Sequence, residues 1–143
     1  MPEVTRSVQI QAPPSAVWRW VATQEALRQW LTPSIDIDLR VGGTYRFLGP
    51  DGETWISGTV LELIPEGGLV LSWLEEGSDW VHPARLLITL TPTADGTQVT
   101  LAHDGFAGIG KPGWSRTLEA YERGADSHQI LEQLADLVAP VGV

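Results

Sequence analysis

Few side chains in this chain can do chemistry. There is no cysteine, which excludes a thiol nucleophile and a thiolate metal site. Three histidines remain: His82, His103 and His128. None lies in an HxH or HExxH pairing, so no local metal motif exists and no metal is expected. Acid–base work would need the histidines to converge. Alternation over residues 97–103 turns His103 to the side of Thr97, Val99 and Leu101. His82 shares parity with Leu86 and Ile88, with Pro83 intervening, and His128 lies on an apolar helical stripe. No serine sits in a G-x-S-x-G setting, so a nucleophile elbow is absent. Gly108-Ile109-Gly110 precedes a helical pattern, but Lys111 is followed by Pro112, which rules out a phosphate loop. Asp36 and Asp38 alternate with Ile35 and Ile37 and read as a solvated strand face. Glu75, Glu76 and Asp79 read as surface charge in a turn beside Trp80.

What stands out is indole. The chain of 143 residues holds seven tryptophans, each able to remove ~150–250 Å² from water. Trp18, Trp20 and Trp30 fall together in "PPSAVWRWVATQEALRQWL", between Pro13-Pro14 and Pro33. At 100° per residue Val17, Trp18 and Val21 share one face; Thr23 caps a second helix in which Leu27, Trp30 and Leu31 face inward. Trp18 and Trp30 are therefore core anchors, and Trp20 is left between a cavity rim and a partner surface.

These groups need a frame. Residues 4–11 alternate as an amphipathic strand, and Pro13-Pro14 ends it and opens the first helix. After the second helix come about six antiparallel strands, punctuated by Gly42-Gly43, by the 49–52 and 65–68 turns and by Asp95-Gly96. Gly58 marks a bulge or bend. Residues 105–113 form a glycine-rich loop, and 114–138 read as one long amphipathic helix containing Gly124. No linker or repeat divides the chain, so one domain is expected over residues 1–143. An antiparallel sheet must bury one face, and the C-terminal helix is the large element available to cover it. A curved sheet cannot touch a straight helix everywhere, so a gap is expected between them.

Net charge is −9, and Lys111 is the only lysine. With no basic patch, nucleic acid is excluded as a partner. The start lacks a signal-peptide pattern, and no apolar run approaches the roughly 20 residues of a span. A cytoplasmic protein without membrane insertion is expected.

The stretches "IQAPPSAVWRWVATQEALRQW", "LRVGGTYRF", "GTVLELIPEGGLVLSW", "LTPTADGTQVTLAHDGF" and the closing helix, in that order, cover almost the whole chain. Together they resemble the START/Bet v 1-like (SRPBCC) superfamily, in its branch related to the activator of Hsp90 ATPase homologue (AHSA1-like). The resemblance implies an α+β helix-grip fold, in which a curved antiparallel sheet carries two short helices after its first strand and a long C-terminal helix over one face. It also implies a small hydrophobic ligand, a cyclase- or dehydratase-like activity, or a protein partner of the Hsp90-activator kind. Family helices often carry Gly-Trp mid-helix; here the pair is Gly124-Ala125, so Ala125 leaves room for a ligand or another indole fills the space.

The expected cavity wall is Tyr45, Phe47, Trp55, Trp73, Leu86, Ile88, Leu101, Trp114, Leu118, Tyr121 and Ala125, with His103 and His128 adding polar handles alongside the tyrosines. Phe106 and Ile109, in "GFAGIGKPGW", read as a ligand gate or a flexible connector. An enzyme would use His103, His128 or a tyrosine to move protons. No catalytic residue is assigned, no cofactor is expected, and monomer and homodimer both stay open.

Overall fold

The computed structural model describes residues 3–49 and 51–138, though not the side chains of 125–128. Strand β1 (Val4–Ile10) alternates as the sequence requires, with Val4 and Ile10 buried and Thr5, Ser7 and Gln9 in water. Helix α1 (Pro14–Trp18) starts on a proline, whose missing N–H costs nothing in a first turn. Helix α2 (Gln24–Trp30) is capped by Thr23, whose hydroxyl accepts the Ala26 N–H at 3.1 Å. Trp30 is buried, and its indole N–H donates to the Trp20 carbonyl at 2.8 Å, locking the two helices together. Trp18 and Trp20 are half-buried against the same core, so Trp20 is neither free surface nor full core.

Six more strands follow: β2 (Asp36–Ile37), β3 (Thr44–Leu48), β4 (Trp55–Ile64), β5 (Gly68–Glu75), β6 (Ala84–Thr93) and β7 (Gly96–Asp104). They form one antiparallel seven-stranded sheet in the order β1-β7-β6-β5-β4-β3-β2. Strand β2 is only two residues long and is held to α2 by side chains. Gln24 Oε1 accepts the Ile37 N–H at 2.8 Å, while Arg28 donates to the Ile35 carbonyl and to Asp36. Asp36 therefore lies on the solvated face and still has an ion-pair partner.

Register shifts between Val60 and Glu62, which turns Leu61 to solvent; the irregularity lies beyond Gly58 rather than at it. Gly58 has another role. A Cβ there would collide with the Ser72 carbonyl oxygen and hydroxyl, so β4 and β5 can approach only because this position is bare.

A 3₁₀ turn (Phe106–Gly108) leads to the C-terminal segment, which departs from expectation. Instead of one helix over 114–138 there are two, α3 (Trp114–His128) and α4 (Ile130–Val138). Gln129 between them is left-handed, with φ 49 and ψ 47. The two helices serve different neighbours: α3 packs on the 3₁₀ turn and β1, and α4 on β1 and α2. Helix α4 buries Leu131, Leu134 and Val138, whereas no described side chain of α3 is fully buried. The result is the helix-grip fold in the α+β class.

Replacing Gly58 with alanine is expected to destabilise the protein by about 2 kcal/mol, or roughly 5 °C in melting temperature. At Gly108 an added Cβ meets nothing within 4 Å, so Gly108→Ala is the matched control and leaves the melt unchanged. Thermal unfolding followed by circular dichroism measures both.

Candidate functional site

Cross-strand register arranges the inner face of the sheet in rows. Phe47, Ile56 and Glu75 pair in succession across β3, β4 and β5. Leu71, Leu86, His103 and Val4 pair across β5, β6, β7 and β1, and Leu69, Ile88, Leu101 and Arg6 form the next row. Over these rows lies a cavity of about 890 Å³. Its buried floor is Phe47, Ile56, Trp73, Leu86, Leu101 and His103. Trp30 of α2 and Leu31 just after it wall one side, and Ala120, Tyr121 and Gly124 of α3 with Ile130 and Leu131 of α4 form the roof. The exposed lining residues Gln29, Pro33, Asp51, Gln129, Glu132 and Gln133 mark the opening, between the end of α2, the β3–β4 turn and the α3–α4 break.

The polar groups gather around α3. Tyr121 donates its hydroxyl proton to Glu75 Oε2 at 2.6 Å and accepts the Trp73 indole N–H at 2.9 Å. Glu75 Oε1 accepts from the Ser78 hydroxyl at 3.1 Å. Burial, and then the Glu75 carboxylate, push the Tyr121 phenol well above its ordinary range, so it stays a neutral donor. The His103 ring meets Trp73 edge-on at 4.6 Å and lies 5.2 Å from Tyr121 and 6.0 Å from Phe106. Only 8% of His103 is exposed, and its Nδ1 has no hydrogen-bond partner. Burial lowers His103 to about 4, against a smaller opposing pull from Asp104. Asp104 is itself engaged by Arg85, through bonds of 2.8 and 2.6 Å. The imidazole is neutral at physiological pH.

Of the expected wall, Phe47, Trp73, Leu86, Leu101, His103 and Tyr121 line this cavity. Tyr45 and Ile88 are buried in the core without lining it, and the Tyr45 hydroxyl is spent on the Ser72 carbonyl at 2.6 Å. Trp114 and Leu118 are half-buried against the core, away from the lining. Trp55 faces the other way. It is 37% exposed on the outer face, with the Arg46 guanidinium 4.0 Å over its ring and Glu76 clamping that guanidinium. The inner neighbour is Ile56, because strand alternation puts adjacent residues on opposite faces. The side chains of Ala125 and His128 lie outside the described residues. His82 is exposed, in a bend before β6 begins, where the strand parity that placed it inward does not apply.

The gate expectation does not hold for Phe106 and Ile109. Both are fully buried, and the Ile109 carbonyl accepts the Val81 N–H at 2.7 Å. Their loop is pinned into the core and lines no part of the cavity. Glu75 is the residue that sequence reasoning missed. Strand β5 runs on to position 75, so Leu69, Leu71, Trp73 and Glu75 share the inner face while Glu76 turns out to Arg46. Extending the parity of Trp73 by two residues would have found it. Among the described residues, no group of His, Cys, Asp and Glu could hold a metal ion, and no helix is long and apolar enough to cross a membrane.

A curved antiparallel sheet gripped by helices, with a cavity beneath them, defines the helix-grip class. MLL2253 of Mesorhizobium loti has the same fold at 25% identity, with 95% of this chain and 96% of that one covered and a TM-score of 0.78. CV1439 of Chromobacterium violaceum is 25% identical over 98% of this chain and 99% of its own, at a TM-score of 0.67. DynU16, a protein in the dynemicin biosynthetic locus, is 22% identical at a TM-score of 0.75, and the match takes in 96% of this chain and 47% of DynU16. No curated protein matches the chain in sequence. The model for the activator of Hsp90 ATPase homolog 1-like protein matches residues 11–139, and the chain belongs to that family.

Burial of neutral His103 carries a pH signature. Between about 6.5 and about 4 the unfolded chain takes up a proton that the native imidazole refuses. Stability therefore falls as pH drops through that window, by on the order of 3 kcal/mol across it. Replacing His103 with phenylalanine is expected to flatten this part of the curve. Urea midpoints for both proteins at pH 5 and pH 7 test it: the wild-type gap between the two should exceed the variant's.

Proposed function

We propose that the protein binds a small hydrophobic molecule in the cavity between the sheet and helices α2, α3 and α4. The observation that carries this reading is the cavity itself. At about 890 Å³ it is within the size range of small-molecule sites, and its floor is apolar and aromatic. Apart from His103 the polar lining side chains are half-buried or exposed, so the deep floor is largely apolar and polar groups border it. Membership of the AHSA1-like family fits a ligand-binding fold. The lipid-, polyketide- or aromatic-like nature of the molecule belongs to this proposal as well.

Native mass spectrometry of the purified protein, followed by denaturing extraction, tests the reading together with titration of an uncharged naphthylamine fluorophore. Release of a bound apolar species or saturable fluorophore binding supports it; neither would sink it. Gly124 of α3 lines the cavity. Gly124→Leu should raise helix stability by about 0.8 kcal/mol and yet weaken fluorophore binding about tenfold or more, by filling the space. Melting temperature and affinity moving in opposite directions separates a blocked site from an unfolded one.

A further inference from the structure

We infer that the end of the cavity where Glu75 stands with Phe47, Trp73 and Tyr121 receives the protonated amine of an otherwise apolar ligand; this rests on the ligand-binding reading above. Glu75 is a carboxylate on the core-facing side of a strand. Its hydrogen bonds come from two neutral hydroxyls, Tyr121 and Ser78, and among the described residues it has no ion pair. Each carboxylate oxygen accepts more than one hydrogen bond, so both retain capacity toward the cavity. An ammonium group brings three donors and a charge. Glu75 would take a charge-assisted bond. The rings of Phe47 and Trp73, set edge-on with centroids 5.4 Å apart, supply the aromatic surface that a desolvated cation favours.

The cationic lining residues stand elsewhere. Arg28 is committed to Asp36 and the Ile35 carbonyl. Arg6 is in the register row of Leu69, three strands across and three inward positions along from Glu75, on the order of 20 Å at ordinary strand geometry. A ligand carboxylate placed at the Glu75 end would meet a like charge at close range. A ligand alcohol would make the hydrogen bonds without the Coulomb attraction.

The test is displacement of the uncharged fluorophore from the full chain near neutral pH by decylamine, decanol and decanoate, which share one tail. Decylamine is expected to displace at about tenfold lower concentration than decanol, with decanoate weakest. In Glu75→Gln, which keeps the shape, accepts the Tyr121 hydroxyl on its one amide oxygen and donates its NH2 to the Ser78 hydroxyl, the amine advantage should vanish while decanol is unchanged within about twofold. Parity of amine and alcohol, or tightest binding by decanoate, overturns the inference and leaves the cavity reading standing. Failure of the fluorophore and all three amphiphiles to bind overturns both. The wild-type ratio decides the matter even if the variant does not fold.

Discussion

A seven-stranded antiparallel sheet curves as it twists, and only its inner face is apolar enough to need cover. Straight helices cannot follow that curvature, and the remaining architecture is a response to the mismatch. Helices α2 and α4 cover one part tightly, through Leu27 and Trp30 on one and Leu131, Leu134 and Val138 on the other. Helix α3 covers the remainder loosely, with its described side chains at best half-buried. The space left beneath is the cavity. Had the helix continued unbroken through position 129, one axis would have had to serve both α2 and the 3₁₀ turn. The left-handed residue between α3 and α4 lets each helix take its own direction.

Loose cover needs a fixed point, and Tyr121 supplies it. Its hydroxyl joins the Trp73 indole and the Glu75 carboxylate, so α3 is tied to the sheet by hydrogen bonds where it lacks deep apolar contact. The Phe106 ring, 5.1 Å from Tyr121 and fully buried, backs that contact from below. This explains why the glycine-rich segment is not a gate. Its glycines permit tight turns, with Gly105 and Gly110 both at positive φ, and the turns drive Phe106 and Ile109 inward.

Much of this was legible in the sequence, because alternation is a strict code where one face is buried. Period two placed Phe47, Leu86, Leu101 and His103 inside, and the Thr23 cap and the two short helices followed from local chemistry. The failures have equally physical causes. Trp55, expected in the cavity wall, opens β4 on the outer parity, where cation–π contact with Arg46 gives a large ring a use at the surface. Glu75 was hidden in "EEGSDW", where clustered acids look like a turn although the strand had not ended. The helix break was invisible because three- and four-residue spacing runs on through His128, Leu131 and Leu134 while the backbone changes hand at Gln129.

Three departures from local rules meet at the cavity. A carboxylate occupies a core-facing strand position at Glu75, an imidazole nitrogen at His103 is buried without a partner, and a non-glycine residue at Gln129 is left-handed. Each costs on the order of 1–3 kcal/mol in isolation. Gln129 is exposed and closes α3, and the two other non-glycine residues at positive φ, Glu66 and Asp79, sit in exposed turns. Glu75, His103 and Gln129 belong to different elements and have no sequence proximity, yet all three line one space. Packing accounts for part of this, since Glu75 accepts the Tyr121 hydroxyl that ties α3 to the sheet, whereas an apolar ring at 103 would leave no nitrogen unpaired. On the proposed ligand-binding reading, the spare acceptor capacity of Glu75 faces the space that such a molecule would fill, and the α3–α4 break borders its opening.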